Sequence, residues 1–280
     1  MDTRRIEGAI DTRRLASRCV AFVGCGAAAG CVRSLSRCGV GGFVLVDRDT
    51  VGPENVCRQE HFPDQAGMPK VEALAAELRR INPAVVVRTA FTDVCAVPDA
   101  EADELFLGVD LFVAATDSHA AQARVNELAL RTRTPAVWAG LYRGGRAGDV
   151  AYWLPGLPCY RCLFPTRYAA AARGEPDPPS DGATVLDVNL FDAVAAQVAV
   201  GLLTRGADNR FGRLLDGLAG RTVLQVKIDP DWAWNGRDVV RERLGVTAGS
   251  DGYFAFCTAA LRDPDPPGRC PDCLRYGNAC

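Results

Sequence analysis

Between residues 47 and 70 the chain gathers groups suited to handling phosphate: Asp47-Arg48-Asp49, then Asn55-Val56-Cys57-Arg58-Gln59, then Lys70. Arginine offers a planar fork to phosphate, and lysine a point charge. Such cations suit a reaction in which charge develops on an α-phosphate and on a leaving pyrophosphate. Lysine is scarce: only Lys70 and Lys227 occur, and arginine supplies nearly all the positive charge. A lone arginine usually reads as a solvated surface charge. That reading is weaker for Asn55, Arg58, Gln59 and Lys70 grouped just beyond a strand.

Upstream, Gly24-Cys25-Gly26-Ala27-Ala28-Ala29-Gly30 follows an apolar run and opens a helix. Glycines there let backbone N–H groups approach a phosphate, and the helix N-terminus favours the negative charge. The bland alternative is glycine kept for tight helix–strand packing. Asp47 lies about twenty residues on, where a carboxylate can bind a ribose hydroxyl. Gly24, Gly26, Ala27 and Asp47 alone would serve an NAD- or FAD-dependent enzyme equally well. Asp49, Asn55 and Gln59 are assigned supporting places. Asp117 ends another apolar run, where its carboxylate could hold Mg²⁺ between phosphates. Its alternative is a helix N-cap, a place that Ser118 can also fill. His61 and His119 read as surface histidines.

These residues need a frame. Cys19 to Val23 reads as a buried strand, Gly26 to Cys38 as a helix, and Phe43 to Val46 as a second strand. Lys70 to Ile81 carries Val71, Leu74, Ala75, Leu78 and Ile81 at helical spacing, and Asn82-Pro83 stops it. Val85 to Val87, Leu111 to Ala115 and Pro135 to Gly140 read as further strands, with a helix from His119 to about Arg131. This alternation predicts an α/β, doubly wound, mainly parallel, Rossmann-like sheet. Ala151 to Leu154 and Thr222 to Ile228 add strands, and Val188 to Leu203 an apolar helix. Residues Arg173 to Gly182 read as an exposed, mobile loop. The expected organisation is a nucleotide-binding region over 1–155 and a zinc- and partner-binding region over 156–280, within one continuous domain.

Composition narrows the classes. The formal net charge of −2 gives no basic excess for nucleic acid, and 48% hydrophobic residues suit a globular protein. Met1 to Arg14 lacks the apolar core of a signal peptide, and no apolar run reaches the roughly 18–20 residues of a membrane span. A cytoplasmic location follows as an expectation. Of twelve cysteines, Cys159/Cys162 and Cys270/Cys273 form two C-x-x-C pairs, the spacing of one tetrahedral zinc site and a C-terminal zinc-bound extension. Cys19, Cys25, Cys31, Cys38 and Cys95 read mostly as small buried thiols.

Taken together the chain resembles the ThiF/MoeB/HesA family, the bacterial relatives of ubiquitin-activating enzymes. The resemblance rests on the glycine loop, Asp47-Arg48-Asp49, Asn55-x-x-Arg58-Gln59, Lys70, Ile81-Asn82-Pro83, Thr116-Asp117-Ser118, Asn126 and Pro158-Cys159-Tyr160-Arg161-Cys162-Leu163. It implies a homodimeric adenylyltransferase that uses Mg-ATP to activate the C-terminal carboxylate of a ubiquitin-like or sulfur-carrier protein. A downstream conjugating enzyme would then receive the product. It also implies structural zinc on the four paired cysteines. Arg58, Lys70 and Asp117 are the expected catalytic residues, with Asp117 holding magnesium.

Three departures stand out. Ala27 replaces a glycine of the family's loop. The family's N-terminal arginine helix is absent as such, leaving Arg4, Arg5, Arg13 and Arg14 as substitutes. No cysteine lies between Leu163 and Val226, where relatives that form a thioester carry one. Cys257 is then the first thioester candidate, against a structural reading of Tyr-Phe-Ala-Phe-Cys, with Cys57 and Cys280 behind it. These departures favour a bacterial ubiquitin-like conjugation pathway over housekeeping sulfur transfer. Activation of a short peptide for a natural product is one alternative. A non-catalytic nucleotide-binding adaptor and an NAD-dependent oxidoreductase are two more, both disfavoured by Arg58, Lys70 and Asp117.

Overall fold

A computed structural model of the chain describes residues 1–179, 181–218, 220–229, 232–233, 237–238, 259–262 and 268–279. Its sheet has eight strands in the order β3-β2-β1-β4-β5-β6-β7-β8. They are β1 Cys19–Val23, β2 Gly42–Asp47, β3 Val86–Phe91, β4 Leu111–Ala114, β5 Ala136–Leu141, β6 Ala147–Trp153, β7 Val223–Lys227 and β8 Ala259–Arg262. Pairings among β1 to β5 are parallel, and those that add β6, β7 and β8 are antiparallel. The chain order reverses between β1 and β4. Open parallel sheets bind ligands at such a point, outside the carboxyl ends of the strands.

The helices described are α1 Thr12–Ala16, α2 Ala29–Arg37, α3 Lys70–Ile81, α4 Asp99–Leu105 and α5 His119–Thr132. They continue with α6 Tyr160–Leu163, α7 Pro165–Ala172, α8 Val185–Leu203, α9 Leu214–Gly217 and α10 Pro271–Arg275. Strand side chains alternate between faces. Val20 and Phe22 of β1 therefore join one core with Leu35 of α2, Leu74 of α3 and Val198 of α8. Ala21 and Val23 join a second core with Ala102 of α4, Val125 of α5, and Cys162 and Cys273 of the paired cysteines. Two covered faces account for the continuous apolar runs of the central strands.

Several expectations need correction. The helix expected from Gly26 begins at Ala29, because Gly26 to Ala28 turn and the Ala29 N–H donates to the Gly26 carbonyl at 3.1 Å. β3 is longer than Val85 to Val87; it is an edge strand of half-exposed residues, so no apolar run marks it. α4 was unforeseen, since its acidic sequence buries only Ala102. α8 spans 19 residues and is long and apolar enough to cross a membrane by length and composition, contrary to the expectation that no such stretch exists. Here it packs on the sheet as a core helix. Cys25 and Cys31 are buried thiols, but Cys95 is exposed.

Asn126 ties the cysteine-rich segment to α5. It is fully buried; its Nδ2 donates to Asp272 Oδ2 at 3.0 Å and its Oδ1 accepts from the Tyr160 N–H at 3.0 Å. Asn126→Ala is expected to cost about 1–3 kcal/mol for each of the two groups left unpaired. Urea unfolding of the variant, compared with the parent, reads this directly.

Candidate functional site

A cavity of about 520 Å³ opens at the carboxyl ends of β1, β2, β4 and β5. Gly24, Gly26, Ala27, Asp47, Asp49 and Arg58 line it. Gln59, Lys70, Asp117 and Ser118 complete the set expected from the sequence. Asn55 does not line it. Its carbonyl instead accepts from the N–H groups of Arg58 and Gln59 at 3.0 and 2.7 Å, and its Oδ1 accepts from Gly52 N–H at 2.9 Å. Asn55 therefore shapes the turn that presents Arg58 and Gln59.

The glycine loop is held by protein groups. Gly24 has φ +95°, and a Cβ there would lie 2.4 Å from the Ala115 carbonyl oxygen, so only glycine fits between β1 and β4. A Cβ at Gly26 would meet Gln59 Oε1 at 2.9 Å. Asp47 accepts from the Cys25 N–H at 2.7 Å and from the Asp49 N–H at 2.9 Å, fixing the loop to the end of β2.

One acidic residue changes the reading of the helix N-terminus. Asp192, buried within α8, accepts from the Cys31 N–H at 2.9 Å at the start of α2. The first turn of α2 is thus occupied by a protein carboxyl group. Its sequence signal is an Asp beyond the first turn of an otherwise apolar helix, where Asp187 already serves the cap. Burial pushes the Asp192 carboxyl well above its ordinary range, against the opposing hydrogen bond from Cys31. An unfolded aspartate loses its proton near 3.8, whereas folded Asp192 keeps it to higher pH. Above that pH the folded state binds more protons than the unfolded one, so stability falls as pH rises until Asp192 ionises. Asp192→Asn removes this titration. Its urea midpoint is expected to gain on the parent's as pH rises above about 3.8; a gap constant with pH would contradict the assignment.

The cations arrive from the same edge. Lys70, the first residue of α3, is buried, and its Nζ lies 3.1 Å from Asp49 Oδ2. Arg58 Nε and Gln59 Oε1 are buried with no hydrogen-bond partner among the described residues. An orphaned guanidinium donor beside a cavity fits an anionic group, and an orphaned amide oxygen fits a hydroxyl or amino donor of the same ligand. Ser118 is the cap of α5, accepting from the Ala121 N–H at 3.3 Å, so Asp117 is not consumed as the N-cap. Its carboxylate is exposed at the cavity wall, a hard oxygen donor of the kind magnesium takes.

The histidines are not surface groups. His61 and His119 are both buried. Burial first, and Arg33 second, lowers the His61 pKa; burial first, and Arg167 second, lowers that of His119. The His119 N–H donates to Asp177 Oδ2 at 3.0 Å, and its ring meets Tyr168 edge-on at 4.6 Å. Asp177 belongs to the segment expected to be a loop. It is exposed, as expected, but Pro178 and Pro179 also line the cavity. The sequence reading missed these, together with Arg167, Tyr142 and Asp149. Contacts across the fold, rather than local spacing, bring them here.

The paired cysteines converge. The Sγ atoms of Cys159, Cys162, Cys270 and Cys273 lie within 4.8 Å of one another, with contacts of 3.9, 3.4 and 3.7 Å. Zinc–sulfur bonds of about 2.3 Å in a tetrahedron put sulfurs about 3.8 Å apart, so the set fits zinc. Hydrogen bonds from Cys159 and Cys270 pull the Cys162 thiol well below its ordinary range. Asn278 Nδ2 donates to Cys273 Sγ at 3.3 Å, an outer partner for the cluster.

Other candidates fall elsewhere. Cys57 is exposed, donates to the Glu54 carbonyl at 3.3 Å, and does not line the cavity. Cys257 and Cys280 lie outside the described residues. Arg4 pairs with Asp2, and Arg14 donates to the Arg205 carbonyl at 2.9 Å; neither they nor Arg5 and Arg13 line the cavity.

The ThiF family description matches residues 2–207. The SAMP-activating enzyme E1 of Haloferax volcanii is 32% identical over 204 residues, covering 72% of this chain and 73% of that protein. The mouse adenylyltransferase and sulfurtransferase MOCS3 is 31% identical over 270 residues, covering 89% of this chain; the chain spans only 53% of MOCS3. Among solved structures, Escherichia coli MccB with ATP superimposes with a TM-score of 0.63 at 18% identity, covering 93% of this chain and 67% of that one. At that identity the likeness is one of fold.

Proposed function

Because the chain belongs to the ThiF family, whose relatives here are adenylyltransferases and modifier-activating enzymes, we propose that it is an adenylyltransferase that uses ATP to activate a C-terminal carboxylate. The substrate in this proposal is a ubiquitin-like or sulfur-carrier protein, and the product an acyl-adenylate with release of pyrophosphate. The observation that carries it is the convergence of Arg58, Gln59, Lys70 and Asp117 with Gly24, Gly26, Ala27 and Asp47 on one cavity.

The chemistry suits these groups. A C-terminal carboxyl ionises near a pKa of about 3.3–3.7, so the nucleophile needs no general base. A carboxylate oxygen attacks the α-phosphorus, the new P–O bond forms, and the bond to pyrophosphate breaks without net proton transfer. The remaining task is to hold two anions together and to neutralise the charge that gathers on the leaving group. Arg58 and Lys70 are assigned that task. Asp47 is assigned the ribose, with Asp49, Gln59 and the amides of Gly26 and Ala27 in support. Asp117 would hold magnesium, which neutralises phosphate charge when bound. Zinc on Cys159, Cys162, Cys270 and Cys273 would be structural.

No cysteine lines the cavity among the described residues. The proposal therefore ends at the adenylate unless Cys257 accepts the acyl group; a DTT-sensitive adduct lost in Cys257→Ala tests that step. In its finer form, the chain works as a homodimer in a bacterial ubiquitin-like conjugation pathway and passes its product to a conjugating enzyme. ATP–pyrophosphate exchange with purified candidate partners tests the substrate. Exchange that requires a ubiquitin-like protein's intact C-terminus supports the reading. Exchange driven only by short peptides would replace it with the peptide alternative.

A further inference from the structure

We propose that Arg167 binds the carboxylate being activated, so that the cavity has a separate cationic pole for each of its two anions. This rests on the adenylyltransferase reading above. Arg167 sits on α7 and lines the cavity. Its Nη1 donates to Gln122 Oε1 and to the Tyr160 hydroxyl, each at 2.6 Å. The Tyr160 hydroxyl in turn donates to Gln122 Oε1 at 2.6 Å.

This triangle is rigid. Gln122 and Tyr160 are both buried, and Tyr160 stacks on Trp138 with ring centroids 5.0 Å apart. The Gln122 Nε2 donates to the Thr116 carbonyl at 2.7 Å, one residue before Asp117. The arginine head is thus fixed to the same strand end that presents Asp117.

What holds Arg167 is neutral. Three other cations around the cavity have carboxylate partners: Arg48 with Asp93, Lys70 with Asp49, and Arg143 with Asp181; Arg58, assigned to the phosphates, has none among the described residues. Among the described residues no carboxylate pairs with Arg167, and only Nη1 is engaged. The Nε–Nη2 edge is the fork that receives a carboxylate in two parallel hydrogen bonds. The nearby N-terminus of α5 is taken by Asp177, so the helix end does not compete for the anion.

Position separates Arg167 from the phosphate cations. Lys70 opens α3, whose Val71 and Leu74 belong to the core on one face of the sheet. Arg167 lies beside Tyr168, which packs on the core of the other face. The two poles thus reach the strand ends from opposite sides. Two repelling anions brought together for reaction need that separation.

The test uses the full chain, magnesium and α,β-methylene-ATP, with a synthetic peptide ending in Gly-Gly and its C-terminal amide as probes. Dissociation constants are read by NMR titration for the parent, Arg167→Met and Arg167→Lys. The parent is expected to bind the carboxylate form at least about tenfold more tightly than the amide, the scale of one charge-assisted pair. Arg167→Met should bring that ratio close to one, and Arg167→Lys should restore part of it. Binding of the ATP analogue should stay within about twofold in all three, which also reports an intact fold. A ratio unchanged in Arg167→Met would overturn the role of Arg167 alone. So would a weakened ATP analogue with the ratio preserved, because Arg167 would then belong to the triphosphate. A parent that binds the analogue but does not prefer carboxylate over amide would overturn the adenylyltransferase reading itself.

Discussion

Lys70→Met is expected to lower ATP–pyrophosphate exchange by about 10²–10³-fold, the scale of removing one preorganised charge from a reacting group. Stability should hold or rise. Lys70 is the first residue of α3 and is buried, so its ammonium is both desolvated and set at the positive end of the helix dipole. Both effects disfavour a cation there. Asp49, the partner at 3.1 Å, is itself more than half exposed and compensates only in part. A methionine of similar length relieves that conflict and leaves only an exposed carboxylate unpaired. Function and folding therefore move in opposite directions. Exchange rate and thermal midpoint, measured on the same sample, read the two. Exchange at the full rate in Lys70→Met would remove Lys70 from the mechanism.

Removing zinc is expected to destabilise the fold by about 4–5 kcal/mol, the entropy of a closed loop of about one hundred residues. The pairs Cys159/Cys162 and Cys270/Cys273 are far apart in sequence, yet the sulfurs meet at 3.4 to 3.9 Å. Cys159 and Cys273 are fully buried. Without metal, four thiols share a site with little water to solvate a thiolate. The loss should also reach the cavity, because Asp272 of α10 bonds Asn126 of α5, and α5 begins beside Asp117. Metal analysis is expected to find one zinc per chain. Chelator should lower the urea midpoint and the exchange rate together. Cys159→Ser should reproduce both effects without chelator. A metal-free chain with an unchanged midpoint would contradict the site.

Local pattern made much of this legible. Lys70 to Ile81 was readable as a helix because its apolar spacing and its stop at Asn82-Pro83 lie within one segment, and the observed α3 has those bounds. Ten of the eleven residues assigned to catalysis or nucleotide binding line one cavity; Asn55 is the exception and serves the turn. Each cysteine pair was legible because C-x-x-C spacing sets it locally, and tertiary folding brings the two pairs together across 111 residues. Asp192 and Arg167 were not legible in the same way. The Cys31–Asp192 bond crosses 161 residues, and the Gln122–Arg167 bond crosses 45. No local period links such positions. His61 and His119 failed for the opposite reason: a lone polar residue at a helix start or turn reads as exposed, and only tertiary packing buries it.

In the proposed reaction a carboxylate oxygen of the partner attacks the α-phosphorus of ATP. The most direct test labels both oxygens of the partner's C-terminal carboxylate with ¹⁸O and supplies Mg-ATP, with hydroxylamine to capture the activated acyl group. Attack at the α-phosphorus leaves one labelled oxygen on AMP, unlabelled pyrophosphate, and a hydroxamate on the partner. Label in inorganic phosphate with ADP as the nucleotide product, or hydroxamate formed without AMP, would contradict the account.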